Sequence, residues 1–277
     1  MDEHDPTRRK LLIAGSILGV LAAGGLLPTA CAIMRFNRNP ELSMTESPAR
    51  PTGEPRPLLD EDIAPVLARL DAWYAAHLPP EKYAFNPPAT DAQIDAFEQV
   101  VAIAMPRSWR QLYKWHDGEN DDRRGHIYGL PILPLERAAR DWQQWQKTLA
   151  EFGGNRYPVA GAGWPEGAVD PAYVNPKWIP LTNDGSSGNI GLDFDPWPGG
   201  RVGQVILFGR DEDVKVVLAE SLGRFLEWIA DLLEGGNFRL GEAPGEEVLR
   251  EFRLKDPPVD HFHDGARILL GAPGQFI

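Results

Sequence analysis

Trp178-Ile179-Pro180-Leu181-Thr182-Asn183-Asp184-Gly185, followed by Asn189 to Asp195, Gln204 to Phe208 and Val214 to Leu218, is the stretch that decides the fold. Each segment is short and rich in apolar residues, and Gly185, Gly188, Gly199 and Gly200 punctuate them as turns require. Upstream the period changes to helical. Ile63, Val66, Leu67, Leu70 and Trp73 recur at helix spacing, with Pro65 in the first turn. Thr90 or Asp91 caps a second helix carrying Ile94, Phe97 and Val101. Pro106 opens a third, with Trp109, Leu112, Tyr113 and His116 on one face, and Asp117-Gly118 ends it. A strand is expected around His126 to Leu133, a helix from Leu135 to Phe152 and a long loop from Gly153 to Asn175. Downstream, Ser221 starts a closing helix with Leu222, Phe225, Leu226, Ile229, Leu232 and Leu233 on one side. Helices, then successive strands, then a helix predict an α+β domain with a single, mainly antiparallel sheet.

The flanks of this body differ in character. Arg8-Arg9-Lys10 precedes an uncharged run of 24 residues, Leu11 to Met34, which Arg35 and Arg38 close. That pattern reads as a twin-arginine-like export signal or membrane anchor over residues 1–38, placing the protein on the periplasmic side or in the envelope membrane. Ala30-Cys31-Ala32 fits a cleavage site, Cys31 is a weak lipidation candidate, and the uncleaved run would span a bilayer core of about 30 Å. Pro40, Pro48, Pro51, Pro55 and Pro57 mark residues 39–58 as an extended tether. The expected domain runs from 59 to 240, with a C-terminal extension over 241–277.

The chain has 277 residues, 43% of them hydrophobic and 25% charged, and 9 Trp, 11 Phe and 6 Tyr can fill a substantial core. Its formal net charge of −12 disfavours a nucleic-acid partner. The single cysteine excludes an intrachain disulfide and a thiolate metal cluster.

Two stretches carry a family resemblance. Ala89-Thr90-Asp91-Ala92-Gln93-Ile94 leads through Met105-Pro106-Arg107-Ser108-Trp109-Arg110-Gln111-Leu112 to His116-Asp117-Gly118. Trp178 to Gly185 leads to Gly191-Leu192-Asp193-Phe194-Asp195-Pro196 and Gly200-Arg201-Val202-Gly203-Gln204-Val205-Ile206. Together they resemble the SUKH superfamily, specifically its Smi/Knr cell-wall-assembly-regulator group, over about Leu59 to Gly236. The resemblance implies a single-sheet binding domain without a known enzymatic activity, of a kind that serves as toxin-neutralising immunity proteins in bacteria and in cell-wall regulation in fungi. The leader, the Trp142–Trp145 helix with its Gly-rich loop, and the extension beyond Leu240 depart from the usual pattern.

Motifs for chemistry are weak. Gly161-Ala162-Gly163-Trp164-Pro165-Glu166-Gly167 is misspaced for a phosphate cradle, and Gly185-Ser186-Ser187-Gly188-Asn189 lacks the last glycine of a nucleophile elbow. No cofactor is expected. His261 and His263 are two imidazoles two apart, lacking a third histidine ligand. Asp193 and Asp195 share a side of one strand, the spacing of an acid–base pair. What remains is an acidic surface. Glu119, Asp121 and Asp122 follow the third helix, Asp184, Asp193 and Asp195 flank a strand, and Asp211 lies in a turn. Trp115 and Trp197 are candidate aromatic anchors beside them. Brought together, these residues would attract a basic toxin or an envelope protein. The reading is a non-enzymatic binding protein of immunity or envelope type. The alternative is an envelope hydrolase using Asp193 and Asp195, with metal at His261 and His263.

Overall fold

A computed structural model describes residues 48–119, 124–186, 188–241 and 252–275. Four helices come first: α1 (Ala64–His77), α2 (Asp91–Val101), α3 (Arg107–Trp115) and α4 (Leu135–Glu151). Strands β1 (Ala162–Trp164), β2 (Trp178–Pro180), β3 (Gly188–Asp193), β4 (Gln204–Gly209) and β5 (Val214–Ala219) follow, then α5 (Leu222–Glu234). A short pair, β6 (Arg239–Leu240) and β7 (Phe252–Arg253), precedes α6 (Phe262–Leu270). The α+β class and the mainly antiparallel sheet are as expected, with helices on both sides of the strand run in sequence. Strand order is β1-β5-β4-β3-β2, antiparallel except where β1 joins β5 in parallel.

Local chemistry sets the helix starts. Thr90 and Gln93 form a reciprocal capping box on α2, and the Ser221 hydroxyl accepts from the Arg224 amide at 3.1 Å on α5. Pro106 and Pro134 have no polar side chain to cap with, so distant carboxylates do it. Asp60 accepts from the amides of Arg107 and Ser108 at 3.1 and 3.0 Å, and Asp117 from that of Leu135 at 2.9 Å.

Alternation along β4 divides the core. Val205 and Leu207 join Ile190, Leu192 and Val216 in the large cluster beneath the helices, while Ile206 and Phe208 pack with Trp178, Val169 and Ala172 on the other face. The 153–175 loop therefore covers the second face through its later part, around Val169 and Ala172, while Gly153, Gly154, Val159 and Ala160 are exposed. It also supplies β1, whose three residues around Gly163 gave no alternation to read.

The strand expected at His126–Leu133 is instead a tight turn. Only isolated bridges, Ile127 with Leu130 and Ile132 with Thr182, occur there, and Tyr128 (φ 50°) and Gly129 (φ 84°) reverse the chain. Just before it, Gly118 (φ 60°) leaves α3 where a Cβ would stand 2.5 Å from the Ile132 carbonyl oxygen. Only glycine suits both demands.

Both flanks are more integrated than their composition implies. The described part of the Pro-rich stretch, residues 48–58, is a docked strap. The Arg56 amide donates to Gly200 O at 3.0 Å, Val202 N to Arg56 O at 3.0 Å, and the Arg201 guanidinium to Pro57 O at 2.7 Å. At the other end Phe252, Leu254, Phe262 and Ala266 are buried in the main cluster, and Tyr128 stacks on Phe262 at 5.1 Å. The expected boundary at residue 240 does not separate two cores. Residues 1–38, including Cys31 and the apolar run, lie outside the described residues.

Candidate functional site

The six residues of β3 place the expected acidic residues at opposite ends of the sheet. Gly188 pairs with Gly209 at one end and Asp193 with Gln204 at the other, roughly 17 Å away at strand rise. Asp184 and Asp211 therefore sit at the start of β3, and Asp193, Asp195 and Trp197 at its exit. A single acidic face does not assemble.

At the exit, carboxylates form a buried knot. Asp193 is fully buried. Its Oδ1 accepts from Trp178 Nε1 at 3.1 Å and from the Asp195 amide at 2.9 Å, and its Oδ2 accepts from Gln204 Nε2 at 3.0 Å. Burial pushes its pKa up to about 7, against the hydrogen bonds from the Asp195 amide and Gln204, which lower it. Asp170, buried beside Arg156 and Tyr157, is also raised by desolvation, with Arg156 opposing. Asp195 is half-buried. Burial alone would raise it too, but Arg50 at 2.9 Å, Asn175 at 3.1 Å and Arg156 at 3.0 Å hold it below the usual carboxylate range. Arg50 belongs to the strap, so this knot fastens the chain's described start to the sheet. Asp193 does not face outward with Asp195 as an acid–base pair would, because the strand ends between them and the Asp195 backbone folds onto Asp193. Trp197 is 8% exposed and is no surface anchor.

The third group is internal as well. Glu119 is 1% exposed. Its carboxylate accepts from the Ile132 amide at 3.0 Å and contacts His126 Nδ1 at 2.8 Å, pinning the 126–132 turn. Phe85 is sandwiched between His116 (4.4 Å) and His126 (3.8 Å). Burial lowers the His116 pKa, and its ring is a packing element at the C-cap of α3. Trp115 is half-buried on Phe85 and donates from Nε1 to Asp71 at 2.9 Å. Asp121 and Asp122 lie outside the described residues. The imidazole pair separates because α6 begins between them. His261 is exposed, whereas His263 is buried with Nδ1 3.1 Å from Glu212 Oε1. No group of three or more potential metal ligands occurs among the described residues.

Helix α4 is bordered by two hollows that sequence reasoning missed. The larger, about 600 Å³, lies against α2 and includes Pro87, Pro88, Phe97, Val100 and Leu135. Its polar groups are spent on the fold. Asn86 donates to Asp117 O, Asp117 caps α4, and Gln93 completes the α2 capping box. The smaller, about 250 Å³, lies where α4 meets the start of β3, between Asp141, Trp145, Tyr173, Asn183 and Arg210. Here Trp145 and Tyr173 form an edge-to-face corner (centroids 6.0 Å apart, 75°), extended by Phe152, which is 43% exposed. Among the described residues, neither the Trp145 indole N–H nor the Tyr173 hydroxyl has a hydrogen-bond partner. Burial raises the Tyr173 pKa, with Arg210 opposing and Asp211 adding to it, so the phenol stays a donor at neutral pH. Asp211 takes the Arg210 fork at 3.0 Å through both Nε and Nη2. Asp184 accepts from the Ser186 and Gly188 amides, shaping the adjacent turn. None of the expected residues lines this pocket; Asp184 and Asp211 only adjoin, in sequence, its lining residues Asn183 and Arg210. Trp142 and Trp145 are three apart and share a helix face, which marks α4 as packed there but does not reveal that the two rings meet different partners. Trp142 donates to Pro176 O at 3.0 Å.

Comparison with known proteins bears on what this architecture serves. The sequence model of the SMI1 / KNR4 family (SUKH-1) matches residues 88–228. The Saccharomyces cerevisiae "Cell wall assembly regulator SMI1" is 28% identical over 232 residues, 70% of this chain and 46% of that protein. The Schizosaccharomyces pombe "Cell wall biosynthesis/cell cycle regulator smi1" is 36% identical over 166 residues, 56% of this chain and 32% of that protein. The Neurospora crassa "Glucan synthesis regulatory protein" is 28% identical over 232 residues, 72% of this chain and 44% of that protein. The chain thus spans less than half the length of each. These relatives correct the exported or membrane-anchored placement expected from residues 1–38. They are named for regulating wall assembly or glucan synthesis rather than for residence in a membrane or envelope, and among the described residues no helix is long and apolar enough to cross a membrane.

Proposed function

The chain belongs to the SMI1 / KNR4 family (SUKH-1), and from that membership we propose a non-enzymatic regulatory module that acts by holding a protein partner in the control of wall assembly. The observation that carries this reading is the half-open Trp145–Tyr173 pocket, where aromatic surface and unsatisfied donors face solvent together. Such amphipathic rings make strong interface anchors, because they bury large area at little conformational cost. A hydrolytic reading is less well supported. Asp193 is sealed, with both oxygens already accepting hydrogen bonds, and Asp195 is held by three partners, so neither is placed to exchange a proton with a substrate. The relatives' roles favour wall regulation over toxin neutralisation.

The test is affinity capture with the full chain as bait, wild type against Trp145→Ala and against Val100→Asp in the α2–α4 hollow. The reading expects a partner lost on Trp145→Ala and retained on Val100→Asp. Undiminished capture by Trp145→Ala would remove its basis.

A further inference from the structure

The donors and acceptors around the Trp145–Tyr173 corner are unequally available, and that imbalance restricts the ligand. Two of the acceptors are engaged, Asn183 Oδ1 by the Gly185 amide at 2.7 Å and Asp141 Oδ2 by Asn183 Nδ2 at 3.0 Å, while Gln144 and Thr148 also line the hollow. The donors are not. Among the described residues the Trp145 indole N–H and Tyr173 O–H have no partner, while Arg210, which helps line the hollow, spends Nε and Nη2 on Asp211 and Ser186 O. A fitting ligand brings an apolar ring or edge for the aromatic corner, several acceptors and few donors of its own. A sugar hydroxyl both donates and accepts, so a sugar asks for acceptors as well as donors, and two of the acceptors here are already engaged. A helical peptide hides its carbonyls within itself. An extended peptide containing proline meets each demand, because proline has no N–H to satisfy, packs a flat apolar ring on aromatics and leaves neighbouring carbonyls free.

We propose that this corner takes a proline-containing, extended segment of the protein partner, with the Trp145 indole and Tyr173 hydroxyl donating to its carbonyls. The inference rests on the reading of the chain as a partner-binding module. Charge adds a preference. The chain carries −12 overall, and Asp141, Asp184 and Asp211 surround Arg210, so a proline segment flanked by Lys or Arg is favoured over an acidic one. The pocket's volume, about 250 Å³, suits one or two residues of such a segment and not a whole domain.

The experiment is an array of short extended peptides with basic flanks, each proline-containing member beside its alanine-for-proline twin, probed with the full chain and followed by anisotropy titration of the best binders. The expected result is binding at least about tenfold tighter than the twin, weakened about tenfold or more by Trp145→Ala and several-fold by Tyr173→Phe. Tyr173→Phe keeps the ring and removes only the donor, so its loss separates hydrogen bonding from packing. Far-ultraviolet circular dichroism of each variant, unchanged from wild type, establishes that the loss is not unfolding. Twins that bind equally, or variants that bind as wild type does, overturn the inference, as does displacement of the peptides by a linear glucan oligosaccharide. If Trp145→Ala abolishes partner capture while no peptide shows a proline preference, the proline assignment fails and the binding module stands. If capture is also indifferent to Trp145→Ala, both fail.

Discussion

The two ends of β3 carry similar residues and do opposite things. At the exit, Asp193, Asp195 and Asp170 are knotted to Arg50, Arg156, Asn175, Trp178 and Gln204, each carboxylate oxygen of the buried Asp193 accepting a hydrogen bond. At the start, Asp184 and Asp211 brace a turn and an arginine, and beside them Trp145 and Tyr173 keep their polar atoms unspent. Carboxylates at one end hold the fold together; at the other they frame an opening. An acidic residue next to an aromatic in sequence says nothing of which role it takes. What decides is whether fixed donors surround it.

The largest expected effect lies at the knot. Asp193→Ala takes the acceptor from Trp178 Nε1 and the Asp195 amide and leaves Gln204 Nε2 with Ala168 O alone, and should lower unfolding free energy by about 2–4 kcal/mol in urea melts. A loss under about 1 kcal/mol would mean water reaches this end as readily as the other.

Next is a pH signature of the same group. The folded state keeps a proton on Asp193 up to about pH 7, whereas an unfolded Asp releases it near about 4. Stability from this group is therefore greatest at low pH, falls as pH rises through that window and levels off above about 7. Relative to an Asp193→Asn variant, wild type should lose about 2–4 kcal/mol between pH 4 and 7. A constant difference across the window would show that Asp193 is ionised in the fold.

A smaller change is expected at the strap. Arg50→Ala removes the 2.9 Å ion pair to Asp195, but the guanidinium is 44% exposed and water screens it. The expected cost is about 0.5–1 kcal/mol. Amide hydrogen exchange should rise in residues 50–57 and not in β4. At the open end, Tyr173→Phe should cost least in stability, under about 0.5 kcal/mol, because it keeps the ring and removes a hydroxyl without a partner among the described residues.

How much of this could be read from sequence follows from where the signals come. Strands β3 to β5 and helices α2, α3 and α5 announce themselves through alternation, caps and helical spacing, and the family motif sits on them. β1 does not, since three residues around Gly163 have no period and gain their place by parallel pairing to β5. The His126–Leu133 segment is apolar because it is buried as a turn, held by Glu119, and burial without regular pairing mimics a strand in composition. Glu119, Asp193 and Trp197 were misplaced as surface residues. For Glu119 and Asp193 the burying partners include Ile132, Trp178 and Gln204, more than ten residues away in sequence, which no local pattern reveals. The Trp145–Tyr173 corner joins residues 28 positions apart through the cover of the second sheet face, and only the fold brings them together.

The account turns on the start of β3 being the surface that meets a partner while the exit serves the fold. A photo-crosslinking residue placed at Gln144, beside the pocket, and separately at Pro198, beside the knot, tests this in the full chain within its own cells. The account predicts a discrete protein adduct from position 144 that Trp145→Ala removes, and none from position 198. An adduct from position 198 alone, or one from 144 that survives Trp145→Ala, would contradict it.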